Sequence, residues 1–157
     1  MVLYPNFRKS LGLEKDKTYR FAYEELVLRV FAFSDWINVY KGGLANFLND
    51  YMEEYKNIDD ARKTQMKQNF ERVVDLLYFR ILKKKKLPKI SKTTTEGLLV
   101  GIFNNINDLE NQTDSALIKK YLLLRNDKLY SLQNLKEGLS GREKVQNRLK
   151  RAIEIFQ

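Results

Sequence analysis

The stretch Glu24-Glu25-Leu26-Val27-Leu28-Arg29-Val30-Phe31-Ala32-Phe33 decides the fold. Its apolar residues do not alternate, so it is not a half-buried strand. Wound as a helix, it is apolar on nearly every side, and a helix of that kind is central and covered by others. Arg29 is the lone charge in the apolar part. Such a charge must pair, reach out to solvent or mark a site. Glu25, one helical turn earlier, is a ready partner, and a phosphate or an inter-domain contact is the other reading. The helix is expected over 22–38, closed by Trp36 and Tyr40 and broken by Gly42-Gly43.

The rest of the chain repeats the helical period. A short helix is expected within 1–12, stopped by Gly12, with a polar connection from Lys15 to Thr18. Over 44–56, Leu44, Phe47, Leu48, Tyr51, Met52 and Tyr55 fall on one face. Over 59–83, Met66, Phe70, Val73, Val74, Leu77, Ile81 and Leu82 form a stripe behind Asp59 and Asp60, with Pro88 as the stop. Thr93 and Glu96 have capping-box spacing for a helix over 95–107, and Gly97 and Gly101, four apart, suit close helix packing. A further helix is expected over 114–125. Tyr130, Leu132 and Leu135 suggest a short helix or an irregular packed segment. Ser140 and Glu143 form a second capping box for a last helix ending near Phe156, with Val145, Leu149, Ala152, Ile153 and Phe156 inward. No Asn-Gly or Asp-Gly hairpin signal occurs. The expectation is all-α: one irregular bundle of six to eight helices, residues 1–157 forming a single domain.

Composition narrows the chemistry. The 157 residues include neither cysteine nor histidine. That excludes thiolate nucleophiles, sulfur-ligated zinc, a Ser-His-Asp triad and an H-E-x-x-H metalloprotease. Glu24 and Glu25 are adjacent and point about 100° apart on a helix, so with Asp35 they do not converge as an acid–base pair. No Walker A or G-x-G-x-x-G motif is present. No catalytic residue, metal ligand or cofactor is expected. The aromatics fall on apolar stripes and read as core.

The net charge of +9 is localised. Residues 83–92 carry Lys83, Lys84, Lys85, Lys86, Lys89 and Lys92 with no acid. Residues 140–157 carry Arg142, Lys144, Arg148, Lys150 and Arg151 against Glu143 and Glu154; the remainder sums to zero. These segments are either a solvated loop and an ordinary helix face or a surface that attracts phosphate. Lys144, Arg148 and Arg151, at steps of four and three, share the outward side of the last helix in this reading. The candidate nucleic-acid contacts are therefore Lys83, Lys84, Lys85, Lys86, Lys89, Lys92, Arg142, Lys144, Arg148 and Arg151. Residues 1–20 hold no apolar leader segment, and residues 26–33 are too short and too charged to span a bilayer. A cytoplasmic protein without a membrane partner is expected.

Tyr19-Arg20-Phe21-Ala22-Tyr23-Glu24-Glu25-Leu26-Val27-Leu28-Arg29-Val30-Phe31-Ala32-Phe33, followed by Tyr40-Lys41-Gly42-Gly43-Leu44-Ala45-Asn46-Phe47-Leu48-Asn49-Asp50-Tyr51-Met52, resembles part of the GmrSD restriction endonuclease N-terminal domain family, ParB/sulfiredoxin-like proteins of phage defence. Ser140, Val145, Arg148 and Leu149 are similar to the end of that domain. In the family the chemistry belongs to a ParB-like half with a D-G-Q-Q-R-type motif, which this sequence lacks, and many members add an HNH domain, which needs histidine. The resemblance implies the helical half alone, with Arg20, Glu25, Arg29, Gly43, Phe47, Leu48, Asn49 and Arg148 as packing or inter-half contacts rather than catalysts. Its expected partners are nucleic acid, a ParB-like domain or a second copy. A pure protein-interaction role, as antitoxin, inhibitor or structural subunit, is the alternative; an enzyme in its own right is the third reading.

Overall fold

A computed structural model describes residues 1–13, 20–131, 133–134 and 139–157, with Arg20 described by its backbone only. The described residues are all-α and contain no strand. Seven α-helices follow in order: α1 Pro5–Leu11, α2 Arg20–Trp36, α3 Leu44–Tyr55, α4 Asp60–Asp75, α5 Lys92–Leu109, α6 Asp114–Asn126 and α7 Arg142–Phe156. Their buried apolar side chains form one contiguous cluster. The expected connection at Lys15 to Thr18, and Leu132 and Leu135, lie outside the described residues.

α2 is central as its sequence requires, with Val30 and Ala32 fully enclosed. α5 is more deeply buried still: residues 94–102 are buried without interruption. It packs most extensively on α7 and next on α2. Two glycines allow this. Tyr130 lies against Gly97, and Phe156 with the Ala152 carbonyl lies against Gly101, so the helices approach where a side chain would hold them apart. Three helices run parallel. Arg29 and Ser34 of α2 meet Glu96 and Asn104 of α5, while Gly101 and Asn105 of α5 meet Ala152 and Ile153 of α7. α5 and α7 therefore begin at the same end of the bundle.

Aromatic side chains fix α3 on α2. Trp36 meets Tyr51 edge-on at 5.2 Å, and Phe33 stacks on Phe47 at 5.1 Å. Gly42 and Gly43, with φ of 95° and 70°, turn the chain between them.

Three helix boundaries depart from expectation. The helix that starts at Asp60 runs as an α-helix to Asp75, widens into a π-helical stretch over Leu76–Ile81 and stops there. Lys83 and Lys84 adopt left-handed φ of 52° and 62°, so the chain turns away before Pro88 is reached. α5 begins earlier than expected. Ser91, not Thr93, is its N-cap, accepting a hydrogen bond from Thr94 N at 2.9 Å. Similarly, Gly141 rather than Ser140 caps α7, and it makes no side-chain cap bond.

Candidate nucleic-acid interface

The six lysines of residues 83–92 do not form one patch. Lys83 pairs with Asp114 at the start of α6, beyond the C-terminal end of α5. Lys92 is the first residue of α5. Eighteen helical residues at 1.5 Å each separate the two ends of α5 by about 27 Å. Residues 83–91 return along that length and are anchored midway by Leu87 N donating to Ser10 O at 2.7 Å. Lys84 lies over the Phe79 ring at 5.8 Å, Lys86 rests its stem near Gly12, and Lys85 and Lys89 are exposed.

α7 divides its cations differently from the sequence reading. Arg142 and Lys144 are exposed near its start. Arg151 is exposed but held by Asp127 at 2.8 Å and by Glu154 at 3.3 Å. Arg148 is only 4% exposed, and its inclusion in the outward basic face is corrected. The step from Lys144 and Arg151 is outweighed by another. Arg148 lies three residues after Val145 and four before Ala152, both buried, so it points into the bundle. There Nη2 donates to Leu139 O at 3.2 Å and Nη1 to Lys144 O at 3.4 Å.

The group that Arg148 faces is Glu96, which the sequence reading treated as a capping residue. Glu96 is 2% exposed. Arg29 Nη1 donates to its Oε2 at 3.0 Å, and Arg148 Nη2 stands 4.0 Å from its Oε1. Arg29 also meets Glu25 at 2.5 Å, the partner expected one turn earlier. Burial raises the Glu96 pKa in spite of both guanidiniums, and burial lowers that of Arg148. A sequence signal for this contact existed. Between Lys92 and Asn104, Glu96 is the only charge, as Arg29 is in its own apolar run. Two lone charges of opposite sign on buried helices are natural partners. Of the other structural candidates, the Arg20 side chain lies outside the described residues.

The same end of the bundle is knitted by polar bonds. Tyr40 donates its hydroxyl to Ser140 O at 2.6 Å, and Gln146 Nε2 donates to Ile37 O and Tyr40 O, both at 3.1 Å. The sequence-predicted cations that this end brings together are Lys89, Lys92, Arg142 and Lys144. Lys89 and Lys92 border one hollow beside α2, and Lys92 borders the next together with Ser140. Lys92 and Arg142 are the first residues of their helices, where the dipole disfavours a cation. That local conflict is what functional positions commonly show. Among the described residues Lys89, Lys92 and Arg142 make no ion pair.

Glu24, Glu25 and Asp35 do not converge; Asp35 instead accepts hydrogen bonds from Tyr51 at 2.7 Å and Tyr55 at 3.0 Å. Among the described residues no group of three acidic side chains is placed to hold a metal ion, and no helix is long and apolar enough to cross a membrane. The chain matches no family model, no curated protein and no solved structure.

Proposed function

We propose that this chain is a non-catalytic helical module of a restriction or phage-defence-type protein, and that it binds nucleic-acid backbone through the cations at the shared start of α5 and α7. The observation that carries this reading is the placement of exposed Lys89, Lys92 and Arg142, without an ion pair among the described residues, at one end, where two helix N-termini add positive potential. Its defence context rests on the resemblance of residues 19–33 and 40–52 to the helical half of the GmrSD N-terminal domain. Contacts of this kind are independent of sequence and salt-dependent. Fluorescence anisotropy with a labelled duplex, at roughly 50 mM and 200 mM salt, tests it. Binding at the lower concentration that collapses at the higher, and that weakens in Lys89→Ala/Lys92→Ala/Arg142→Ala, supports the reading. No binding at the lower concentration refutes it.

The protein-interaction alternative has one observation of its own. Leu122 and Leu123 on α6 are 45% and 53% exposed side by side. Light scattering would reveal a stable assembly, and Leu122→Asp/Leu123→Asp would disperse it.

A further inference from the structure

Beside the Glu96 carboxylate lies a cleft of about 440 Å³, within the size range of small-molecule sites. Among the described residues, Arg29, Lys92 and Arg148 line it with Glu96 as the only acid, while Phe33 and Leu44 supply apolar wall. Arg148 is nine-tenths buried, yet among the described residues its Nε has no hydrogen-bond partner, and the same is true of the buried Nε of Arg29. A buried N–H left unpaired is costly, and native structures rarely tolerate two in one place without a reason. Glu25, half exposed, meets Arg29 from outside the cleft. Even with that charge counted, the cations remain in surplus by one among the described residues. Lys92 makes no ion pair among the described residues and stands at the rim, exposed.

We infer that this cleft binds a small organic phosphomonoester, its phosphate against Lys92 and the Arg29–Arg148 pair and its apolar body against Phe33 and Leu44. Guanidinium forks and an ammonium suit the phosphate oxygens. A phosphate also offers three oxygens to these donors where a carboxylate offers two. This inference goes beyond the backbone-binding reading, which needs no cleft.

Isothermal calorimetry on the whole chain tests it, with phenyl phosphate as probe. Saturable one-to-one binding is expected, weakened about tenfold by Lys92→Ala and unchanged in Lys89→Ala/Arg142→Ala. Benzoate, inorganic phosphate and phenol should each bind more weakly, since each lacks part of the match. A short strand carrying a 5′-phosphate should compete with phenyl phosphate more strongly than the same strand without it only if its terminus enters the cleft. Such competition would identify a strand end as the natural source, and its absence with phenyl phosphate still bound would identify a free metabolite. Absence of saturable phenyl phosphate binding overturns the inference, as does equal binding of benzoate or of inorganic phosphate. Loss of phenyl phosphate binding in Lys89→Ala/Arg142→Ala to the same degree as in Lys92→Ala would also overturn it, because that is diffuse surface attraction. If duplex binding survives while phenyl phosphate binding is absent, only this inference fails. If duplex binding is absent and phenyl phosphate binds, only the backbone reading fails.

Discussion

Tyr130 fills the space beside Gly97 that a side chain would need: its Cζ lies 2.7 Å from the position a Cβ would take there. The same tyrosine donates its hydroxyl to Arg148 O at 2.8 Å, so the α5–α7 seam and the buried cation share one support. Gly97→Ala therefore forces the ring out and disturbs the seam. Gly101→Ala meets the Ala152 carbonyl at 2.9 Å, a backbone atom with little room to move. Each substitution gains about 1 kcal/mol of helix propensity but overpacks the core. The expected net loss is about 1–3 kcal/mol of unfolding free energy, read by urea denaturation. An unchanged midpoint in both variants would contradict the seam.

Removing the Arg148 side chain takes away the guanidinium bonds to Leu139 and Lys144, empties a buried volume and leaves Glu96 with Arg29 alone. Arg148→Ala is expected to cost about 3–5 kcal/mol, the range for breaking a buried ion pair by deleting one partner. Urea denaturation measures it. A loss below about 1 kcal/mol, typical of a surface pair, would return Arg148 to the outward face.

Glu96 gives stability a pH dependence of unusual sign for an acid. Burial holds its folded pKa above the ordinary value near 4.5. The native state thus keeps the proton more readily than the unfolded chain. This contribution is fully present below the unfolded pKa and is lost as pH rises through the folded one. Glu110 opposes it. The Arg72 hydrogen bond lowers its pKa, so its contribution is present above the ordinary range and lost as pH falls. Thermal melts of Glu96→Gln and the unmodified protein from acid to neutral pH separate the two. The variant should gain stability relative to the parent as pH rises above the ordinary glutamate range. A difference that is flat or of opposite sign would show that the two guanidiniums outweigh burial.

The corner where residues 82–91 begin depends on Arg80 more than on the lysine next to it. Arg80 donates to Glu110 O at 2.9 Å, to Gln112 O and to Asp114 at 2.8 Å, closing the C-terminal end of α5. Lys83 adds only an exposed contact to the same Asp114. Arg80→Ala should cost about 1–2 kcal/mol through the carbonyl bonds, while Lys83→Ala should leave the urea midpoint unchanged. Equal effects would contradict this division.

Periodicity disclosed the helices and the central place of α2, because a run apolar on all sides has one stable environment. The close α5–α7 approach was legible in Gly97 and Gly101. What spacing could not disclose was which of several Ser and Thr residues caps α5. Thr93 and Glu96 satisfy the capping-box rule, yet Ser91 takes the role and frees Glu96 for the interior. Arg148 satisfied two periodicities at once, the basic one of Lys144 and Arg151 and the apolar one of Val145 and Ala152. Only the position of Glu96 on a neighbouring helix decides between them. The lysine tract read as a cluster because its members are neighbours in sequence, whereas the turn at Lys83 and Lys84 and the path of the residues after it spread them along α5.

Charge reversal at the shared start of α5 and α7 separates the exposed cations from the paired ones. Duplex binding at low salt should be abolished by Lys89→Glu/Lys92→Glu/Arg142→Glu and retained by Arg151→Glu, because Arg151 is already committed to Asp127 and Glu154. The salt slope should shrink by about one for each phosphate contact removed. Equal losses in the two variants, or no duplex binding by the unmodified protein, would contradict it.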